Sequence, residues 1–420
     1  MQKLVSFLKN SYTAYHATEN ARKILEENNF LFLSETEDWK VEEGGKYYTI
    51  RGGSSIIAFT VGSLDKFSFK LIASHTDSPA LKLKENPVQK SGSYIKLNTE
   101  PYGGGIWYSF FDRPLKIAGR IVTEEDNLLS AENVLSPYTV TIPSLAIHMN
   151  RSANEGFSVN EQVDLSPVLS LHEENFLSPI TQKNVVSYDL FVVNADTPYT
   201  FGCEDELLAS PRIDNLTSVL ASIEALINHA ESNGICVAVA LDNEEVGSRT
   251  LQGAGGDFLE NTLRRIANSL KFDENEYYKA LASSFLISLD NAHAIHPNHP
   301  EKSDPTNKVQ LGGGVVIKSH ANKAYTTDAL SSATIKTVFK RAGVEFQTFY
   351  NRSDMRSGGT LGSISLSHVG VLSVDIGLPQ LAMHSANECI ACADYRGLLD
   401  GLTAFYSFNI TVLDDEVSIS

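Results

Sequence analysis

The amino-acid sequence predicts an α/β fold, in which helices flank a mostly parallel β-sheet and a β-rich domain is inserted into the chain. After residue 210, short apolar runs alternate with amphipathic helical segments. That alternation is typical of a parallel sheet covered on both faces. Between about residues 86 and 201, helical periodicity gives way to short β-branched and aromatic runs, separated by Gly, Pro, Asn and Ser. Such a segment indicates a separate β-rich domain.

The N-terminal part of the chain predicts one helix followed by strands. Residues 1–30 are amphipathic and indicate a single helix. β-branched runs predict strands at residues 46–50, 55–61 and 67–74, and within the β-rich segment at residues 94–97, 115–122, 138–142 and 190–193. We therefore expect residues 1–86 and 207–420 to form one discontinuous domain and residues 87–206 to form the inserted domain.

The second half predicts the alternating elements of the main sheet. Asp214 precedes apolar residues at helical spacing and suits a helix N-terminus. Strands are expected at residues 235–241, 285–289, 313–318 and 369–376, and further helices at residues 328–342 and 386–405.

Composition excludes several classes of function. The chain has 420 residues and a net charge of −17, which argues against nucleic acid or an anionic membrane as a partner. No apolar stretch approaches the ~20 residues of a membrane span. The N-terminus lacks the apolar core and the cleavage site of a signal peptide. We expect a cytoplasmic protein.

The four cysteines are too few for a disulfide scaffold. Cys236 lies inside a predicted buried strand. Cys389 and Cys392 form a lone C-x-x-C, which fits either a zinc knuckle or two packed thiols. We favour packed thiols because the pair falls in a predicted helix and no second pair accompanies it.

An acidic pair, Glu244 and Glu245, follows the predicted strand at residues 235–241. Ligands of open α/β sheets bind beyond the carboxyl ends of the strands. Two carboxylates placed there repel each other and lose solvation, and a divalent metal ion offsets that cost. Taken alone, the pair also fits a solvated acidic loop.

Four further side chains stand at comparable positions, where a strand or helix begins or ends: His75, Asp214, Asp290 and His384. Each alone has an ordinary explanation, such as a helix cap or a polar core residue. Together, imidazole and carboxylate groups suit zinc and similar divalent ions.

Charge balance favours two metal ions over one. Asp214, Glu245 and Asp290 supply three negative charges, and a bridging hydroxide would supply a fourth. Paired metal ions activate water and polarise a carbonyl group in amide hydrolysis. Glu244 would remain available as the general base that activates the metal-bridging water.

Five separated motifs resemble those of the M18 metallopeptidases, the aspartyl aminopeptidase family. In chain order they are SHTDSP, SPRIDN, DNEEVGS, LDNAHAIHPN and LAMHS. The resemblance covers essentially the whole chain. It implies a zinc exopeptidase-like catalytic domain and a hydrolase that removes N-terminal residues from peptides. It also implies two divalent metal ions per subunit, with zinc expected and cobalt or manganese as alternatives.

The resemblance implies a role for each matching residue. Glu244 is the general base, and the implied metal ligands are His75, a bridging Asp214, Glu245, Asp290 and His384. Asp77 would orient the His75 ring from the second shell of the metal site, or would simply form a turn.

The resemblance also implies that the inserted domain mediates dimerisation within a dodecamer. His148, in SLAIHMNR, would enter the active site of the partner subunit and hydrogen-bond the oxyanion. From the sequence alone, His148 is a core histidine that follows an apolar strand.

A preference for acidic N-terminal residues requires a cationic partner for the substrate side chain. Lys318 matches a family position associated with that pocket, and Arg356 is a second candidate. We expect the enzyme to prefer Asp or Glu at the N-terminus of the substrate. A preference for neutral residues is the alternative, and a related metal-dependent deacylase is a less favoured one.

His293, His296 and His299 are spaced every three residues, but prolines interrupt any helix that would align them, so we expect a structural or pocket-edge role.

Overall fold

The computed structural model describes residues 1–230, 232–355, 358–359, 362 and 369–420. The α-helices in these residues are α1 (Gln2–Asn10), α2 (Ala14–Glu27), α3 (Ile213–Asn228), α4 (Phe258–Ser269), α5 (Glu274–Ala282), α6 (Ala329–Ala342) and α7 (Cys392–Ser407). The strands are β1 (Leu31–Phe32), β2 (Lys46–Arg51), β3 (Ser55–Val61), β4 (Phe69–His75), β5 (Ala80–Ser91), β6 (Tyr94–Tyr102), β7 (Leu115–Glu125), β8 (Leu128–Leu135), β9 (Val168–Ser170), β10 (Val185–Asn194), β11 (Tyr199–Phe201), β12 (Leu207–Ser210), β13 (Ile235–Leu241), β14 (Phe285–Leu289), β15 (Ala292–His293), β16 (Val315–Lys318), β17 (Phe346–Phe349), β18 (Leu372–Gly377), β19 (Pro379–Leu381), β20 (Glu388–Ala391), β21 (Ile410–Leu413) and β22 (Glu416–Ile419).

The main sheet has nine strands in the order β1-β2-β3-β13-β4-β14-β18-β16-β17. Its central strands β13, β4, β14 and β18 are parallel to one another. Parallel neighbours place their carboxyl ends at the same edge, and this edge carries the candidate site. The predicted α/β fold with a mostly parallel sheet is confirmed.

Helices cover both faces of this sheet, which explains its apolar strands. Along β13, Cys236, Ala238 and Ala240 pack in one core with the buried faces of α1, α2, α3, α6 and α7. Val237 and Val239 face the opposite core, formed with α4 and α5. Alternate residues of one strand therefore serve two cores.

A second sheet of six strands, ordered β8-β7-β10-β5-β6-β9, is antiparallel throughout. It begins at Ala80 and packs on its own apolar core, which includes Trp107 and Phe110. We call residues 80–194 the β-rich region. A third sheet, ordered β11-β12-β20-β19-β15, carries His384 in the loop between β19 and β20.

Three expectations for local structure are wrong. The single N-terminal helix is two helices, interrupted where Thr13 takes an extended conformation at the N-cap of α2. Residues 138–142 form only isolated bridges, through Val140 and Thr141. The first part of the predicted helix at residues 386–405 is strand β20, which pairs with β12 and β19. Cys389 therefore lies in a strand, and only Cys392 lies in a helix.

No helix of the described ranges is long and apolar enough to cross a lipid bilayer.

Candidate active site

Three adjacent parallel strands bring polar residues to one edge of the main sheet. His75 is the last residue of β4, and Asp290 directly follows β14. Glu244 and Glu245 lie in a single 3-10 turn just beyond β13. Asp214 reaches the same place from the start of α3, and the peptide bond that follows it is cis. His384 in the β19–β20 loop is close to both Asp214 and Glu245.

Asp214 is shared between two groups of side chains. Its Oδ1 lies 3.7 Å from His75 Nε2, and that nitrogen lies 3.7 Å from Asp290 Oδ1. Its Oδ2 lies 3.4 Å from His384 Nε2, which is also 3.4 Å from Glu245 Oε1. We name the first group, His75 with Asp290, the His75 half-site, and the second, His384 with Glu245, the His384 half-site. One carboxylate joins the two half-sites.

The donor set fits divalent cations. Asp214 Oδ1 and Glu245 Oε1 are buried and have no hydrogen-bond partner. In each half-site, one donor atom from each side chain and one from Asp214 lie within 4.8 Å of one another. Buried carboxylate oxygens without a partner carry a large desolvation cost that a bound cation removes. Imidazole and carboxylate donors at this spacing suit zinc.

Both histidines direct Nε2 towards this centre because Nδ1 is engaged elsewhere. His75 Nδ1 donates to the Asp77 carbonyl oxygen at 3.1 Å and lies 3.4 Å from Asp77 Oδ1. His384 Nδ1 donates to the Gly104 carbonyl oxygen at 3.0 Å. A carbonyl oxygen can only accept, so each Nδ1 carries a proton and each Nε2 is the ring nitrogen that faces the centre.

The Asp77 carboxylate ties the acidic turn to the rest of the site. Its Oδ1 accepts the backbone N–H of Glu244 at 3.1 Å, and its Oδ2 accepts that of Glu245 at 3.1 Å. Oδ2 also accepts the Tyr102 hydroxyl at 2.7 Å. Asp77 therefore holds the backbone of both acidic residues, which an aspartate that only formed its own turn would not do.

The site concentrates negative charge in a poorly solvated place. Burial raises the pKa of Glu244 to about 7, although His75 opposes the shift. Burial also raises the pKa of Glu245 well above its usual range. For His384, burial lowers the pKa, but hydrogen bonding to Asp214 and the charge of Glu245 outweigh it and raise the value to about 10. The raised pKa values of Glu244 and Glu245 show that burial disfavours their charged forms, which a positive charge nearby would stabilise.

A cavity of about 280 Å³ opens in front of the half-sites, with Glu244, His293 and Lys318 on its walls. Lys318 is buried in its wall, beside the His75 half-site. Its Nζ lies 3.3 Å from Asp290 Oδ2 and 3.3 Å from the Asn291 carbonyl oxygen.

Comparison with known proteins identifies the family. The family model described as aminopeptidase I zinc metalloprotease (M18) matches residues 7–406. The chain belongs to the M18 family. It is therefore a metallo-aminopeptidase, a hydrolase that acts on peptide bonds, and the predicted family resemblance is confirmed.

Relatives and solved structures agree with this assignment. A probable M18 family aminopeptidase 2 from Clostridium novyi is 42% identical over 423 residues, covering 96% of this chain and 98% of the relative. The cryo-EM structure of the Ape4 and Nbr1 complex gives a TM-score of 0.91 at 32% identity, covering 97% of this chain and 85% of that one. The S. cerevisiae mApe1 dodecamer gives 0.82 at 25% identity, covering 96% and 95%.

His148 is exposed and is not among the residues that line the cavity in front of the half-sites. It lies on an exposed segment of the M18 chain's β-rich region. Leu145, Ile147 and Met149 beside it are 56%, 47% and 72% exposed. The sequence interpretation of His148 as a core histidine is wrong, because the segment that carries it is a surface loop rather than a strand end.

The three histidines spaced every three residues do not share one location. His293 lines the cavity, whereas the rings of His296 and His299 lie 5.2 Å apart at the surface and His299 contacts Glu301. Arg356 lies outside the described residues.

Sequence reasoning missed Glu388, which is 2% exposed. Its Oε2 accepts the backbone N–H of Asp214 at 2.9 Å, and its Oε1 accepts that of His384 at 2.6 Å. The residue therefore ties together the backbones of two candidate ligands. The available signal was an acidic residue four positions after His384, at the start of what was predicted to be a helix.

Proposed function

We propose that this M18 chain is a two-metal aminopeptidase that releases N-terminal residues, preferentially Asp or Glu, from peptides with a free N-terminus. The observation that carries the proposal is the Asp214 carboxylate, which has one oxygen towards each half-site. Zinc is the expected metal, with cobalt or manganese as alternatives. Two such ions would polarise the scissile carbonyl group and acidify the attacking water.

Each half-site would hold one ion, and Asp214 would contribute to both. His75 and Asp290 would complete one site, and His384 and Glu245 would complete the other. These three carboxylates repel one another when no cation is present. Two divalent ions would supply four positive charges, enough to balance the three carboxylates and a bridging hydroxide. The unpartnered oxygens of Asp214 and Glu245 support this assignment.

Glu244 would act as the general base. Its carboxylate lies within 4.8 Å of donor atoms of His75 and Glu245 and also lines the cavity. From this position it would take a proton from the attacking water and deliver it to the nitrogen of the leaving amine. Asp77 would hold Glu244 in place through the backbone N–H of that residue.

Lys318 would select an acidic side chain. It lies inside the cavity with its ammonium group 5.1 Å from the centre of the Tyr325 ring, and a carboxylate of the substrate would form a charge-assisted hydrogen bond with it. Its contact with Asp290 supports a second role, in which Lys318 positions a metal ligand and the enzyme prefers neutral N-terminal residues.

We further propose that the β-rich region mediates dimerisation and that His148 reaches the partner's active site to hydrogen-bond the oxyanion. The exposed apolar residues around His148 support burial in an interface. A dodecamer is proposed from the likeness to the S. cerevisiae mApe1 dodecamer. The four cysteines are free, which supports the proposed cytoplasmic location.

The general-base assignment is tested with Glu244→Gln, beside Glu125→Gln as the control at an exposed surface. The substrates are peptides that begin with Asp, Glu, Leu or Ala, each with a free or an acetylated N-terminus. We expect Glu244→Gln to keep its metal content and to lose about 10²–10⁴-fold in kcat. A wild-type kcat in this variant would refute the assignment. Cleavage of acetylated but not free peptides would make the enzyme a deacylase.

A further inference from the structure

The chain leaves β6 of the β-rich region and runs directly against the His384 half-site of the same molecule. Gly104 accepts the hydrogen bond from His384 Nδ1 at 3.0 Å, and the Ile106 N–H donates to the His384 carbonyl oxygen at 2.9 Å. The Tyr102 hydroxyl donates to Asp77 Oδ2 at 2.7 Å. We call residues 102–106 the β6 loop.

Gly103 brings the backbone of the β6 loop against Glu245. Its φ is +75°, and a Cβ at this position would lie 3.0 Å from Glu245 Cβ and 3.4 Å from its Oε2. Any side chain here would push on a candidate metal ligand. Both the backbone conformation and the close approach therefore favour glycine at this position.

The contacts of the β-rich region are unequally divided between the two half-sites. His384 is held by the β6 loop at its ring and at its carbonyl group, and the neighbouring Ala386 is held at its N–H by Ser109 and at its carbonyl group by Asn194. The His75 half-site follows β4 and β14 of the main sheet, and the β6 loop reaches it indirectly, through the Tyr102 hydroxyl group on Asp77.

We propose that the β6 loop is a positioning segment through which the β-rich region holds the His384 half-site of its own chain ready for metal. The β-rich region then has a role inside each subunit that is separate from dimerisation. Disturbing the β6 loop weakens one of the two metal sites and leaves the other intact. The proposal rests on the metal ligands proposed above.

Gly103→Ala tests this division, with Gly92→Ala as the matched control. Gly92 lies in the turn at the other end of β6, has a φ of +59°, and has nothing within 4 Å of the added Cβ. Both substitutions place alanine in the left-handed region, but only Gly103→Ala pushes on Glu245. Binding of Co²⁺ to the metal-free protein is followed by its visible absorption and by competition with a chelator.

We expect wild-type protein and Gly92→Ala to bind two equivalents of Co²⁺ in the same way. Gly103→Ala should weaken one binding step by about 10–100-fold, as disturbed outer contacts of a metal site do. The other step should keep its affinity, and excess metal should restore activity. Equal weakening of both steps, or no weakening, would overturn the proposal.

Glu245→Ala separates this proposal from the assignment of ligands. If Glu245→Ala binds both ions with wild-type affinity, the proposed ligand set is wrong. If it loses one ion while Gly103→Ala binds as wild type does, the ligand set stands and the positioning role is refuted. Should Gly103→Ala fail to fold, Tyr102→Phe replaces it, with the exposed Tyr94→Phe as its control. Weakening of one of the two Co²⁺ binding steps in Tyr102→Phe, with both steps unchanged in Tyr94→Phe, would support the proposal. Equal weakening of both steps, or wild-type affinity, would overturn it.

Discussion

Replacing Asp77 by asparagine is expected to weaken metal binding without removing a metal ligand. The two Asp77 oxygens accept the backbone N–H groups of Glu244 and Glu245, one each. An asparagine has only one oxygen, and its amide nitrogen is a donor. Whichever way the amide is turned, one of the two backbone donors faces another donor and loses its acceptor.

The magnitude follows from that lost hydrogen bond. A buried donor left without a partner costs about 1–3 kcal/mol. If this free energy separates the arrangement that binds metal from its alternatives, affinity falls by about 10–100-fold, because 1.4 kcal/mol corresponds to about tenfold. Loss of an outer partner of a metal site has the same range of effect. Asp77→Asn also weakens the orientation of the His75 ring, which lies 3.4 Å away.

The assay is chelator competition for Zn²⁺ on purified Asp77→Asn and wild-type protein, with thermal unfolding of the metal-free forms measured in parallel. Asp65→Asn is the control, because Asp65 is an exposed aspartate that forms hydrogen bonds with Ser63 in its own turn. We expect zinc to bind more weakly to Asp77→Asn than to wild-type protein, and Asp65→Asn to bind zinc as wild-type protein does. Wild-type zinc affinity in Asp77→Asn would refute the reasoning that this carboxylate organises the centre.

Three further variants test the rest of the site. Glu388→Gln replaces one of two carboxylate acceptors by a donor, and we expect about 10–100-fold weaker zinc binding by chelator competition; unchanged binding would contradict its role. Lys318→Met should lower kcat/KM for Asp and Glu substrates by about 10–100-fold, the value of a lost charge-assisted hydrogen bond, and spare Leu and Ala; an equal loss on all four, with weaker metal binding, would instead show that it positions Asp290. Mixed dimers of Glu244→Gln and His148→Ala subunits should regain some peptidase activity, because one hybrid site has both residues; no recovery under proven subunit exchange would contradict a shared site.

The alternation of strands and helices could be predicted from sequence because each apolar run serves a two-sided core. The ends of those runs placed His75, Glu244, Glu245 and Asp290 near one edge, since parallel neighbours must end together. Strand β20 could not be predicted in this way. Its apolar residues fit a helix as well as a strand. The strand forms because it pairs with β12, which is far away in the sequence, and with β19, which precedes it and folds back beside it.

Contacts between segments that are distant in the sequence could not be predicted either, because they also depend on tertiary packing. The hydrogen bond between Tyr102 and Asp77 joins the β-rich region to the main sheet, and no local pattern in either segment indicates it. The two backbone bonds of Glu388 likewise depend on the placement of α3 beside the loop that carries His384. Residue types and spacing indicate which groups can bind metal, whereas the groups that hold them in place are set by tertiary packing.

The different tasks proposed for Glu244 and Glu245 follow from the turn that contains them. A 3-10 turn has about three residues per turn, so adjacent side chains point about 120° apart. The side chain of Glu245 is consequently 4% exposed and lies against His384, while Glu244 lines the cavity. Asp77 accepts both backbone N–H groups and so fixes the direction of both side chains at once. Two neighbouring carboxylates in a strand or a flexible loop would lack this fixed divergence, and an acidic pair alone would not separate a metal ligand from a general base.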